Sequence, residues 1–362
     1  MDGLMGKVGL VAMGAALVSG CKVGPNYTTP EVAVPAGWNS ATTQPTTQPA
    51  VTVTQWWTTF NDPVLEELVE GAVAANLDLR IAAARVREAR ALRRVAGASL
   101  LPTIDGFGSY SRSRQSENIE GFDTTAGTGG GGHGGVGGEA PTFNPGDEMD
   151  LFQAGFDASW ELDVFGGVRR SIEAARADVE AAVEDARDVY VTLLAEVARN
   201  YVDLRGLQRQ LAIARANLKS QEETLSLTRA RFDAGLVGEL DVTRARTQAK
   251  TTESIIPGLE TQLRAAAHRI EVLSGVHPGA MSQRLLVEAP LPATPPAVPL
   301  GLPSELLRRR PDIRRAERQL AAATARIGVA TAELFPRFSL TGSFGFQASE
   351  ASDQGDWDSR FW

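Results

Sequence analysis

The chain is short of the residues that most catalytic and metal sites need. Its 362 residues hold one cysteine, Cys21, and three histidines, His133, His268 and His277. A lone cysteine rules out an intrachain disulfide. No histidine has a cysteine or carboxylate at metal-ligand spacing in our reading of the sequence. Aromatics make up only 6% of the chain while alanine and arginine dominate long tracts, which points to extended helices and away from a compact globule. Positive charge is not in excess: 36 Lys and Arg face 44 Asp and Glu, for a formal charge of −8. That balance argues against nucleic acid, which selects a basic footprint. No nucleotide-binding motif or proton-relay helix is visible, and no catalytic constellation converges. Cofactors are not expected.

Long apolar runs are missing too. Val8–Val18 is the apolar run at the start, and it is too short to cross a bilayer as a helix. With Lys7 before it and Ser19, Gly20 and Cys21 after it, it has the layout of a secretory signal. Val18-Ser19-Gly20-Cys21 resembles the bacterial lipobox, in which the cysteine carries the lipid. The alternative is an ordinary signal whose cysteine is incidental. Lys22, rather than Asp, follows the cysteine, which among lipoproteins implies the outer membrane.

Proline and glycine are scarce where helices are expected. Between Val168 and Ala234 there is no proline and a single glycine, Gly206. Tyr190, Val197, Leu204, Leu211, Leu218, Leu225 and Phe232 recur every seven residues, with Leu193, Leu207 and Ala214 as part of a second row. After an interruption at Gly235, the seam resumes at Ile256, Leu259, Leu263, Ala266, Ile270 and Leu273. Sustained heptads predict coiled-coil packing. The first run is long enough for roughly 100 Å of helix at about 1.5 Å per residue. Pro257 is expected to kink the returning helix rather than end it. Carboxylates near arginines, as at Glu173-Arg176 and Asp185-Arg187, read as solvated faces.

Elsewhere the period changes to two. Phe152, Ala154, Phe156, Ala158, Trp160, Leu162 and Val164 alternate with Gln153, Gly155, Asp157, Ser159, Glu161 and Asp163. A helix cannot use this pattern and a strand can. It suits a membrane β-barrel, with apolar side chains toward lipid and polar ones toward a lumen. An edge strand of a soluble sheet is the alternative. Asp157, Glu161 and Asp163 share the polar face and are the candidate lumen residues, either tuning which solutes pass or only hydrating the wall. Ile104–Tyr110 is a weaker strand, and the glycine-rich stretch that follows reads as an external loop.

The chain also repeats itself. Residues 76–110 align with 310–344 at a constant offset of 234, so that Asp78 meets Asp312, Arg80 meets Arg314 and Pro102 meets Pro336. Shared helical spacing alone would not place a proline and a change of period in register.

The run "LPSELLRRRPDIRRAERQLAAATARIGVATAELFPRFSLTGSFG" resembles the second-repeat signature of outer-membrane factors of resistance-nodulation-division efflux pumps, in their NodT-like lipoprotein branch. The lipobox, "WWTTFNDPVLEELVEGAVAANLDL", "WELDVFGGVRRSIEAARADVEAA" and "RARFDAGLVGELDVTRARTQ" support it. The resemblance implies a mainly α, internally duplicated fold with a transmembrane β part. In it a long coiled-coil α-helical barrel joins a shared outer-membrane β-barrel in a homotrimer. It implies a passive exit duct in the outer membrane, lipid-anchored through Cys21, with a periplasmic adaptor and an inner-membrane transporter as partners. A periplasmic adaptor or coiled-coil structural lipoprotein with no pore is the alternative.

On this reading residues 1–20 are the signal peptide and 21–60 a lipid-anchored tether. Residues 61–101 form the helix of the first repeat, 102–165 the transmembrane hairpin and 166–275 the long helical hairpin. A proline-rich linker covers 276–303, the second-repeat helix 304–335, and the first strand of a second hairpin 336–362. From Pro102 the chain runs 173 residues on, to Gly275, whereas 26 follow Pro336. The chain therefore reads as C-terminally truncated, lacking a fourth strand and a second long helix. The resemblance places the periplasmic tip at Gly235, Leu236, Val237, Gly238 and Asp241. Gly235 is expected to stop the first helix, Gly238 to permit the reversal, and Asp241 to sit in the first turn of the next helix and in an interprotomer gate bond. Leu236, Val237 and Gly238 would meet the adaptor. The bland alternative folds Leu236 back on the last helical turn, while Val237 has no evident place to hide.

Overall fold

In the computed structural model the described residues are 22–31, 55–114, 148–293, 307–353 and 355–362. The signal peptide, Cys21, His133 and most of the glycine-rich loop lie outside them. Six helices and four strands position the sites: α1 Pro63–Ala75, α2 Leu77–Ala98, β1 Thr103–Arg114, β2 Glu148–Leu162, α3 Gly167–Asp233, α4 Glu239–Leu273, α5 Ser282–Leu285, α6 Pro311–Ala332, β3 Phe338–Ala348 and β4 Arg360–Phe361. The duplication is visible in the bounds, since α6 begins and ends 234 residues after α2 (311 against 77, 332 against 98).

Contacts divide the chain into two units. The first holds the sheet with the helix ends beside it, residues 1–25, 95–172 and 327–362. Its strands run β1-β2-β3-β4, each antiparallel to the next. The sequence predicts no fourth strand, yet Arg360 and Phe361 pair with Phe346 and Gly345 and begin one. Strand β2 starts four residues before the alternation becomes clear at Phe152 and stops at Leu162, two residues short of it.

The second unit is helical, residues 26–94 and 173–326. Its core joins Leu65, Leu68, Val69 and Ala72 of α1 to Val197, Tyr201 and Leu204 of α3, Ala267 and Ile270 of α4, and Leu285 of α5. The heptad row is buried only along this stretch. Val197, Leu204 and Leu211 are buried, while Tyr190 and Phe232 lie exposed in the single chain. Helix α4 continues through Pro257, as expected.

Three expectations need correction here. The helix expected over 61–101 is broken at Asn76, whose Oδ1 accepts from the backbone NH groups of Asp78 (2.8 Å) and Leu79 (3.1 Å). Its Nδ2 donates to the Leu273 carbonyl at 3.0 Å, so a buried amide both starts α2 and satisfies the end of α4. The stretches read as tether and linker also contribute to packing: Trp57 is buried in the core beside Trp56 and Phe60, and Leu285 is fully buried. Nor are the carboxylates from Asp178 to Asp188 of α3 simply a solvated face, although Glu196, Asp203, Glu222, Glu223 and Asp233 further along are exposed. Asp178 meets Arg326 at 2.6 Å, Glu180 meets Arg318 at 3.3 Å and Glu184 meets Arg314 at 3.0 Å, while Asp185 and Asp188 both take Arg315. This ladder flanks Ala177, Ala321 and Ala322, whose small side chains let α3 and α6 approach closely enough for it.

Candidate functional site

The sheet is divided by chemistry into two faces. On one face Asp105, Asp157 and Ser343 lie in one row across β1, β2 and β3, with Thr103–Ser159–Thr341 and Ser109–Gln153–Gln347 in other rows. Thr103 and Ser159 share a hydrogen bond of 2.7 Å, and Gln153 donates to Gln347 at 3.0 Å. The opposite face carries Tyr110–Phe152–Ala348, Gly106–Phe156–Phe344 and Ile104–Ala158–Gly342, continued by Trp160–Leu340 and Leu162–Phe338. Phe156 is 61% exposed and Leu340 likewise, a cost that only an apolar surrounding removes.

One row breaks the polar face. Phe107, Gly155, Gly345 and Phe361 are aligned across all four strands. A Cβ on Gly155 would sit 2.7 Å from the Phe344 carbonyl oxygen, and one on Gly345 would sit 2.6 Å from that of Ala154. The Phe107 and Phe361 rings, 6.3 Å apart, lie over this glycine pair and supply the side-chain cover it lacks.

Of the three acids predicted to line a lumen, Asp157 and Glu161 lie exposed on the polar face of β2. Asp163 does not continue that face. The strand ends at Leu162, and the Asp163 carboxylate turns to the start of α3. There it accepts from the Val168 NH (3.0 Å), the Arg169 NH (2.9 Å) and the Arg169 Nε (3.0 Å). The carboxylate is thus a helix cap held by an ion pair. Glu161, Asp163, Val168, Glu333 and Arg337 border a cavity of about 210 Å³ beside it.

At the other end of α3 the turn is fully specified by backbone geometry. The Gly235 NH donates to Phe232 (2.8 Å) and the Leu236 NH to Arg231 (2.8 Å), with Gly235 at φ +76°. These are the two bonds of a Schellman stop, and the left-handed backbone at its hinge favours glycine. Gly238 differs from expectation. Its φ of −87° and ψ of 162° suit any residue, and no atom lies within 4 Å of a Cβ there, so Gly235 alone carries the reversal. Asp241 reaches back from the first turn of α4 to the Gly238 NH at 3.3 Å. Glycine offers no side chain in return, so only one arm of a capping box exists. Leu236 is 74% exposed and does not fold back as the bland alternative had it, whereas Val237, expected to have no place to hide, is partly buried.

The sequence reading also missed one paired histidine. His268 Nδ1 lies 2.8 Å from Glu271, one helical turn on. Glu271 is fully buried and also accepts from the Gly279 NH (2.6 Å), the Met281 NH (2.7 Å) and Ser282 Oγ (3.2 Å). Burial pushes its carboxyl up, but these donors together outweigh that and hold it at about 2. The cluster clasps the turn that follows α4. Among the described residues no group of three or more His, Cys, Asp or Glu could hold a metal ion.

The sequence matches the family described as outer membrane efflux protein over residues 68–276 and 302–360. Nodulation protein T of Rhizobium leguminosarum bv. trifolii is 39% identical over 327 residues, covering 90% of this chain and 64% of that protein. Pyoverdine export outer membrane protein OpmQ of Pseudomonas aeruginosa is 35% identical over 304 residues, covering 83% and 60% respectively. The chain thus spans less than two-thirds of the length of these relatives. The solved outer-membrane channel OprN is 38% identical and superposes with a TM-score of 0.80 over 94% of this chain and 71% of that one. With a sheet of one polar and one apolar face and a 67-residue helix closed by a glycine stop, the chain belongs to the outer membrane efflux protein family and is an outer-membrane protein with the fold of those channels.

Proposed function

We propose that this chain is the outer-membrane component of a tripartite efflux pump, a passive duct through which small molecules leave the cell. The observation that carries the reading is the division of three strands into an apolar and a polar face. Lipid on one side and water on the other reward that division, and a soluble adaptor has no use for it. Three copies supply strands to one barrel and helices to one tunnel, which removes the sheet edges that a single chain leaves open. Cys21 carries the lipid anchor. Asp157 and Glu161 face the lumen and set its negative potential.

The energy comes from an inner-membrane transporter, and a periplasmic adaptor engages the tip. Leu236 and Val237 form the docking contact together with Gly238, and Asp241 takes part in a bond between protomers that narrows the aperture. One relative is named for the export of pyoverdine; for this chain the cargo class is a small molecule. Leu236→Glu tests the docking role, because that side chain is solvent-exposed in the single chain. In cells that depend on this protein for drug efflux, the variant is expected to lose resistance while heat-modifiable trimers still form. Full resistance with Leu236→Glu and with Val237→Glu would sink the docking assignment.

A further inference from the structure

The residues just after Cys21 are not free to sweep. The Val23 NH donates to the Phe165 carbonyl at 3.2 Å. Arg170, 1% exposed, donates from Nε to the Val23 carbonyl (2.9 Å) and from Nη2 to the Gly24 carbonyl (2.8 Å). A guanidinium buried this completely needs its partners, since an unpaired buried charge is very costly.

Three glycines from distant parts of the chain make room for that arrangement. A Cβ on Gly24 would sit 2.5 Å from the Gly328 Cα, and one on Gly166 would sit 3.0 Å from the Lys22 Cα. A Cβ on Gly328 would sit 2.7 Å from both Cδ and Nε of Arg170. Gly24 and Gly166 also have φ of +86° and +80°, a backbone that side chains disfavour. Glycine in all three places, and an arginine aimed at two successive carbonyls, describe a slot shaped to one short peptide.

We propose that Lys22–Gly24 is a strap docked in a slot formed by Gly166, Arg170 and Gly328. It staples the start of α3, in the first repeat, to α6, in the second. Consecutive Cα atoms are about 3.8 Å apart, so whatever residue 21 bears is presented one residue from this slot. On the lipoprotein reading proposed above, on which this last consequence rests, the lipid is attached one residue before the strap.

Limited trypsin digestion of the full chain, read by mass spectrometry for fragments beginning at Val23, tests the strap. Proteases cut peptide bonds that can leave the fold, and the backbone bonds at Val23 and Gly24 oppose that. Cleavage after Lys22 is expected to be slow in the wild type and at least tenfold faster in Arg170→Gln and in Gly24→Val. The second variant alters only the strap, so it reports even where Arg170→Gln disturbs α3. Wild-type cleavage as fast as in the variants overturns the proposal, and so does Gly24→Val that stays as slow as wild type. Palmitate labelling in the same cells separates the two ideas. Absent label with a protected Lys22 refutes the lipid and leaves the strap standing.

Discussion

The two glycines of the tip can be told apart by one substitution made twice. Gly235 has a φ of +76°, and Gly238 has a φ of −87° with a ψ of 162°. At neither site would a Cβ have an atom within 4 Å, so backbone conformation alone decides the outcome. Serine at 235 must adopt the left-handed region at a cost of about 1–2 kcal/mol. Serine at 238 instead sits in the extended backbone of an N-cap, where its hydroxyl can accept from the first turn of α4 and complete the box that Asp241 half-forms. Because glycine is itself tolerated at an N-cap, the gain over it is only about 0.3 kcal/mol. Hydrogen exchange at the Gly235 and Leu236 NH groups, which make the two stop bonds, measures the first effect. Exchange in the first turn of α4 measures the second. Gly235→Ser is expected to speed exchange roughly fivefold to thirtyfold, and Gly238→Ser to slow it by up to about twofold, since about 1.4 kcal/mol is a factor of ten. If both substitutions shift exchange in the same direction, the assignment of the reversal to Gly235 alone is wrong.

Three further outcomes follow from the geometry. Glu271 is held at about 2 in the fold against an ordinary 4.5, so its contribution is complete above pH 4.5 and is lost as pH falls toward 2. The ceiling on that contribution is about 3 kcal/mol, discounted to about 1–2 by the nearby solvent. Urea titrations of Glu271→Gln are therefore expected to show a smaller loss between pH 4.5 and 2 than wild type; equal slopes would contradict it. Asp163→Ala removes the acceptor for three donors at the start of α3 and is expected to cost about 1–2 kcal/mol in a thermal melt, with Asp163→Asn in between. Gly155→Ala drives a methyl against the Phe344 carbonyl and is expected to destabilise the β2–β3 pair by about 1–3 kcal/mol. The heat-modified band on a gel reports it, and an unchanged transition temperature would argue against the close approach.

What was legible in the sequence was whatever depends on period and on single residues with one dominant conformational preference. The 67-residue helix, its stop at Gly235 and the second appearance of α2 as α6 all come from such signals. The face of β2 was legible for Asp157 and Glu161 because alternation fixes side. It failed for Asp163, since a carboxylate five residues before a helix NH can leave the strand pattern for a cap without disturbing the regularity of the sequence. Asn76 carried a usable signal, as an N-cap residue between two helical stretches, but unbroken helical spacing on both sides masked it. The ion ladder between α3 and α6 and the Arg170 slot were not legible, because each joins residues far apart in sequence. His268 and Glu271, three apart on one helix, carried a usable signal that was missed. The glycines at 24, 166 and 328 have meaning only together.

The central claim is that the sheet is a membrane wall with lipid on one face and water on the other. Single cysteines placed in turn from Phe152 to Leu162, in the protein folded in membranes, test it directly. A charged maleimide that cannot enter lipid should label positions 153, 157, 159 and 161 and spare 152, 154, 156, 158, 160 and 162. Position 155 is set aside because no side chain fits there. Alternation with a period of two and that phase is the predicted result. Uniform labelling, or labelling of the even positions, would contradict the account.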